Sequence, residues 1–302
     1  MNRRQIDPWR PLAVSRERER RAGGRLTSGV TVFLAGSECP FSCVFCDLWR
    51  YTLEEATPVG AIVAQVEVAL ADLPASAGRD WIKLYNASNF FDRRAVPAAD
   101  RLRLPEMLAA FERVIVECHP RLIGDDCLAF AASLDGELEV AMGLETIHPE
   151  LLPRLDKGME LADFEVACRR LRQAGVHVRA FVLVGIPWLS AAEGVEWAVR
   201  STAWALDRGV ETVALIPLRG GTGEMERLAA RGDWIPPTLA QFEAACDRAS
   251  AIAGDGVVLA DLWDIERLPA CAACCGYRTE RLREMNRSGR TLAAVSCADC
   301  GW

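Results

Sequence analysis

Val30-Thr31-Val32-Phe33-Leu34-Ala35 is followed, three residues on, by Cys39-Pro40-Phe41-Ser42-Cys43-Val44-Phe45-Cys46. The first run is apolar and β-branched, as in a strand buried on both faces of a parallel sheet. The second sets three thiols at CxxxCxxC spacing on the loop leaving that strand. Three thiolates on one short loop can take three corners of a cubane iron–sulfur cluster, which ordinarily takes four cysteines. One iron then stays open to another ligand, as catalytic metal sites keep a free coordination position.

Outward from this stretch, strand-like and helix-like patterns alternate. Strands are expected at 30–35, 81–86, 113–118, 138–144, 177–184 and 211–217. Helices are expected at 58–73, 161–174, 190–208 and 238–253, with capping boxes at Ser190/Glu193 and Thr238/Gln241 and stops at Gly175, Gly209 and Gly254. Six strands alternating with helices imply an α/β barrel or an open doubly wound sheet. In a barrel, the cysteine loop sits at the C-terminal rim of the strands, where active sites are built. Residues 1–28, rich in Arg and Glu, read as a basic arm or a short cap; residues 266–302 read as a cysteine-rich tail.

Composition narrows the class. The chain has 302 residues, 51% hydrophobic and 25% charged, enough for a substantial core and unlike a disordered protein. No apolar run reaches the roughly 18 residues needed to span a bilayer, and the start has no apolar h-region, so a cytoplasmic protein is expected. A net charge of −7 argues against a general nucleic-acid surface, although residues 1–26 hold eight Arg against Asp7, Glu17 and Glu19. Clustered cysteines in such a protein point to metal ligands or redox groups rather than to disulfides.

The segments GSECPFSCVFCDLWRYT (36–52), IKLYNASNFFD (82–92), VIVECHP (114–120), MGLET (142–146) and LPRLDKGM (152–159) extend the pattern. With CxxxCxxC after the first strand and Phe45 before its third Cys, the chain resembles the radical SAM superfamily. Within it, the chain is similar to the elongator-catalytic-subunit-like and archaeosine-synthase radical SAM cores. The resemblance implies a partial (β/α)6 TIM-type barrel over 29–265. It implies a [4Fe–4S] cluster on Cys39, Cys43 and Cys46, whose open iron binds S-adenosylmethionine (SAM). One electron, from a donor such as flavodoxin or ferredoxin, would cleave SAM to a 5′-deoxyadenosyl radical that abstracts hydrogen from substrate. No membrane partner is expected. The substrate is either a modified nucleoside in tRNA, favoured by the basic segments, or a small metabolite, favoured by the overall acidity.

The ends of the strands supply the cofactor candidates. Asn86 and Asn89 can accept from the SAM amine, or simply cap a turn. Glu117 can bind ribose hydroxyls or the amine, and the neighbouring His119 can shuttle a proton or order the turn before Pro120. Glu145 is a candidate SAM contact, or a structurally paired carboxylate. Arg179, with Gly185-Ile186-Pro187, falls where the superfamily lines adenosine, and Trp188 is a candidate stacking partner for adenine. The run Arg219-Gly220-Gly221-Thr222-Gly223 either approaches a ligand or forms a flexible loop.

Cys271-x-x-Cys274 and Cys297-x-x-Cys300 make a second cluster. Four thiolates would staple a tail with little core of its own, as Zn2+ does in a ribbon or as an auxiliary iron–sulfur cluster would. Arg278, Arg281, Arg283, Arg287 and Arg290 lie between the knuckles, either gripping phosphate or forming a solvated helix face. The competing class is a non-catalytic zinc-binding protein that binds RNA or acts as a scaffold.

Overall fold

A computed structural model describes residues 4–74 and 76–301; Met1, Asn2 and Arg3 of the expected arm lie outside the described residues. In chain order the elements are β1 (Ala13–Arg20), β2 (Leu26–Leu34), α1 (Ala61–Ala71), β3 (Trp81–Asn86), α2 (Ala98–Leu108), β4 (Arg113–Glu117) and α3 (Asp125–Ser133). Then come β5 (Glu137–Glu145), α4 (Leu151–Arg154), α5 (Leu161–Gln173), β6 (His177–Val184), α6 (Ala191–Asp207) and β7 (Thr212–Pro217). The last are α7 (Gly223–Ala230), α8 (Leu239–Ala251), β8 (Val257–Ala260) and α9 (Cys275–Ser288).

One eight-stranded sheet carries the strands in sequence order, β1 through β8. Neighbours from β2 to β8 pair in parallel, and β1 folds back antiparallel on β2. The sheet curls into a half-barrel of the TIM type. Alternation along β2 shows how the layers form: Val30, Val32 and Leu34 are fully buried in one core with Ile62 and Val66 of α1, whereas Thr31 and Phe33 face the barrel cavity. Each large apolar side chain so buried contributes roughly 1.5–3 kcal/mol. The two expected capping boxes, Ser190/Glu193 and Thr238/Gln241, open α6 and α8.

Three parts differ from expectation. Residues 13–28 belong to the sheet rather than to a free arm: β1 and β2 form a hairpin whose turn holds Gly23 and Gly24 at φ 81° and 86°, angles that glycine adopts without strain. A further parallel strand, β8, follows the six expected. The tail is helical rather than a ribbon, because Leu282 and Met285, with the stems of Arg278 and Arg281, give α9 a buried stripe. The edge strands β1 and β8 both pack against α9, which bridges the seam between them. Asn286 of α9 accepts from the Ala260 N–H at 2.8 Å and donates to the Ala260 carbonyl at 2.9 Å, satisfying backbone at the β8 edge.

Candidate active site

The loop from β2 to α1 carries Cys39, Cys43 and Cys46 and is held at several points. Gln65 of α1, fully buried, accepts from Ala35 N–H at 2.7 Å and donates to Ala35 and Pro8 carbonyls. Ser37 N–H donates to Thr57 Oγ1, and Val44 N–H donates to the Leu155 carbonyl at 3.0 Å. Thr222 Oγ1 donates to the Val44 carbonyl while capping α7. The glycine run, read as either a ligand approach or a flexible loop, buttresses this loop at the cavity edge: Arg50 and Arg267 also donate to its Gly221 and Gly220 carbonyls.

All three thiols face the barrel cavity. Burial pushes Cys43 up to about 12 and Cys46 to about 11, and raises Cys39 as well. As free side chains they are thiols at neutral pH, so only a group that brings positive charge would hold them as thiolates. Lys157 favours that ionisation electrostatically at each of them.

Asn89 braces this loop at the edge of the cavity. Its Nδ2 donates to Cys39 Sγ at 3.2 Å and its Oδ1 accepts from His119 N–H at 2.7 Å. His119 stacks on Phe41 of the loop, with centroids 3.7 Å apart. Its Nδ1 accepts from Arg121 N–H, so its Nε2 carries the proton and donates to the Lys157 carbonyl at 3.0 Å. Burial, with Lys157 nearby, lowers its pKa to about 4. His119 is thus a neutral ring engaged at both nitrogens.

Glu145 ends β5 and meets Lys157, one of two lysines in the chain, at 2.8 Å, with both side chains buried. Glu145 sits at φ 64°, beside an irregularity in the β5–β6 register. Gly143 makes room: a Cβ there would lie 2.0 Å from Glu145 Oε1 and 2.5 Å from Lys157 Nζ.

Asn86 behaves differently from its neighbours. It is 4% exposed, lines the cavity, and neither its Oδ1 nor its Nδ2 has a hydrogen-bond partner; Ser88 Oγ shares that condition. Buried polar groups are nearly always satisfied, so these atoms are suited to a polar ligand. Glu117 also lines the cavity, its pKa raised to about 8 by burial. The open cavity spans about 2000 Å³, ample for a cluster, a nucleoside-sized cofactor and a substrate.

Two expected contacts are elsewhere. Arg179 is the third residue of β6, near the end of the strand away from the cysteine loop. Its Nε donates to Glu139 at 2.6 Å and its Nη2 to Glu19 at 2.5 Å, while Lys83 Nζ meets Glu19 at 2.7 Å. These buried ion pairs fill the barrel floor and engage Arg179 there. Trp188 lies under Arg154, with the guanidinium 3.7 Å from its ring centroid, and packs in a satellite core.

The residues present fit the implied groups. At the second cluster, Cys271, Cys274, Cys297 and Cys300 hold their sulfurs within 4.8 Å of one another, with Cys271–Cys297 at 4.0 Å and Cys274–Cys300 at 3.8 Å. A tetrahedral ion with sulfur at about 2.3 Å sets its sulfurs about 3.8 Å apart. Cysteines on a four-iron cluster bind separate irons and stand wider. Among the described residues only this foursome is gathered so tightly; the CxxxCxxC sulfurs are not. Arg278 and Arg281, expected on a solvated face or gripping phosphate, are buried: both meet Glu243 of α8, and Arg278 Nε donates to Cys274 Sγ at 3.1 Å. Arg283, Arg287 and Arg290 remain exposed. Sequence reading missed Gln65, Lys83 and Glu139, whose partners lie far away in the chain.

No protein-family model matches the chain. Archaeosine synthase subunit beta from Thermococcus kodakarensis is 27% identical over 186 residues, 59% of this chain and 57% of that protein. The Methanosarcina acetivorans protein of the same name is 23% identical over 291 residues, 92% of this chain and 83% of that one. The match thus spans less than two thirds of the first relative. Among solved structures, a radical SAM methyltransferase from Sphaerobacter thermophilus superposes with a TM-score of 0.55 at 18% identity, over 88% of this chain and 77% of that one. Methylornithine synthase gives 0.53 at 15% identity, over 76% and 63%. Methanocaldococcus infernus Elp3 with an N-terminal deletion gives 0.50 at 15%, over 80% and 56%. The chain thus has the fold of the radical SAM enzymes, resembling Elp3 in architecture and archaeosine synthase subunit beta in sequence.

Proposed function

We propose that this chain is a radical SAM enzyme. Cys39, Cys43 and Cys46 would hold a [4Fe–4S] cluster at the mouth of the barrel, with SAM on its open iron. When bound, that pair supplies a 5′-deoxyadenosyl radical, after one electron from a small donor such as flavodoxin or ferredoxin. The observation that carries the reading is three half-buried thiols on a braced loop beside an unpartnered Asn86, all facing one large cavity.

The chain's own groups divide the work. Asn89 donates to Cys39 and stabilises its thiolate. Lys157 lends positive charge to the loop, and Glu145, which anchors it, stands ready for the SAM amine. Asn86 offers an acceptor and two donors to the amino-acid or ribose end of SAM. Cys271, Cys274, Cys297 and Cys300 would hold a single Zn2+, fixing α9 across the seam of the barrel. The likeness to archaeosine synthase beta subunits, together with exposed Arg16 and Arg18 on β1 and Arg283 and Arg287 on α9, supports a tRNA-borne modified nucleoside as substrate and a partner subunit in a larger enzyme.

Anaerobic incubation of the reconstituted protein with SAM and dithionite tests the reading. Wild type should form 5′-deoxyadenosine, and the Cys39→Ala/Cys43→Ala/Cys46→Ala variant should form none. Absence of product from a protein loaded with iron would refute it.

A further inference from the structure

The barrel interior is nearly balanced in charge, with one exception. Glu19 and Glu139 meet Arg179, Glu17 and Glu19 meet Lys83, Asp261 meets Arg219, and Glu145 meets Lys157. Glu117, at the end of β4, has no such partner. Among the described residues its side chain meets no Lys, Arg or His, and its carboxyl is served by the backbone N–H of Asn86. Arg179 on the barrel wall directs its donors to Glu19 and Glu139. Glu117 is half-buried and faces the cavity without a counter-ion, which leaves its carboxyl open to a ligand that supplies one. Ile115, two residues earlier on the same face of β4, is apolar, and such a side chain would serve the fold as well.

The surroundings describe what would match it. Tyr85, on the neighbouring β3, stands edge-on to Phe181 of β6, their centroids 6.3 Å apart at 90°. Phe33 of β2 lies against Trp263 at 5.3 Å. All four rings line the cavity, and the wall between them carries the small residues Ala141 and Ala214, which leave the space open. Aromatic faces favour a flat, polarisable or cationic group, and a carboxylate favours paired N–H donors.

We propose that Glu117 receives the substrate, accepting two N–H donors from a flat nitrogenous group (a guanidine, an amidine or the amino edge of a heterocycle) that lies among Tyr85, Phe181 and Phe33. This assignment rests on the radical SAM reading for calling the occupant a substrate; the chemistry of the subsite does not depend on it. Glu117 is a specificity residue, and the reacting atom lies above it, toward the cysteine loop.

The test uses three probes of one shape on the protein as purified, with neither iron nor SAM added: benzamidine, benzamide and benzoate, by ligand-observed NMR and calorimetry. Wild type should bind benzamidine best and benzoate worst. At pH 9, where the Glu117 carboxyl is ionised and benzamidine is still a cation, Glu117→Gln keeps the shape and removes the charge, and should weaken benzamidine at least about tenfold, the worth of a charged hydrogen bond. Phe181→Leu, which leaves the carboxyl in place, should weaken benzamidine and benzamide alike. Benzamidine binding that is unchanged in Glu117→Gln, or a preference for benzoate, would overturn the proposal while leaving SAM cleavage untouched. A protein that never cleaves SAM yet shows the tenfold loss would remove the radical reading and keep the subsite.

Discussion

Arg179→Met is the substitution that most sharply separates the floor of the barrel from its rim. The guanidinium is 4% exposed and bridges Glu139 at 2.6 Å and Glu19 at 2.5 Å. Removing one member of a buried ion pair costs about 3–5 kcal/mol, because the other charge is left without a partner. Here Lys83 still meets Glu19 at 2.7 Å and Arg113 still meets Glu139 at 2.8 Å, which places the loss at the lower end, about 3 kcal/mol. The sign with pH follows from Glu19, whose burial is outweighed by Arg179 and Lys83 so that its pKa is held down at about 2. In wild type the unfolded chain binds the extra proton between that value and the ordinary one, so stability rises with pH there and is fully present at neutrality. Without Arg179 the burial of Glu19 favours its neutral form, and the penalty is largest at neutral pH and shrinks as pH falls toward 4. Urea unfolding at pH 7.5 and pH 4.5 measures both. The double variant Glu139→Gln/Arg179→Met should recover part of the loss, since one stranded charge is gone. SAM affinity of folded Arg179→Met should stay within about twofold of wild type, whereas Asn86→Leu should lower it by about tenfold. A loss under 1 kcal/mol at pH 7.5, or a collapse of SAM binding in folded Arg179→Met, would refute the placement of Arg179 in the floor.

Three further outcomes follow from the same contacts. Asn89→Leu removes the donor to Cys39 and the acceptor for His119 N–H, so reconstituted iron per chain should fall; an unchanged iron count would count against Asn89 as the brace of the loop. Cys297→Ser opens the tetrahedral site and loosens α9 from β1 and β8. Limited proteolysis should then cut residues 289–296 faster, and the melting temperature should drop by several degrees while iron loading persists. Because burial raises the Cys43 and Cys46 thiols to about 12 and 11, cluster loading must displace protons. Its yield should climb between pH 6.5 and 8.5, and a flat profile would contradict the burial of these thiols.

The residues that were legible in advance are those whose chemistry is local. CxxxCxxC needs only its spacing, and the runs of valine, isoleucine and leucine in β2 through β7 announce strands buried on both faces. β1 escaped because its inward face is closed by charge instead of by apolar groups: Glu17 and Glu19 point to Lys83 and Arg179, and Arg16 and Arg18 point to solvent. In sequence, that alternation of Arg and Glu is indistinguishable from a solvated arm. β8 has four residues, too few for a period to register. Arg278 and Arg281 read as surface for a related reason, since their partners Glu243 and Asp247 sit more than thirty residues away on α8. Asn86 and Asn89 differ in role although three residues apart, and only the contacts of Asn89 with Cys39 and His119 separate them.

The central claim is that the loop of Cys39, Cys43 and Cys46 holds a cluster with an iron open to SAM. Anaerobic reconstitution, iron and zinc counts, and EPR of the reduced protein with and without SAM test it together. The account predicts roughly four irons and one zinc per chain. It predicts that the irons vanish in the Cys39→Ala/Cys43→Ala/Cys46→Ala variant while the zinc stays, and that the EPR signal changes when SAM is added. Zinc at both cysteine groups, with no iron and no response to SAM, would contradict it.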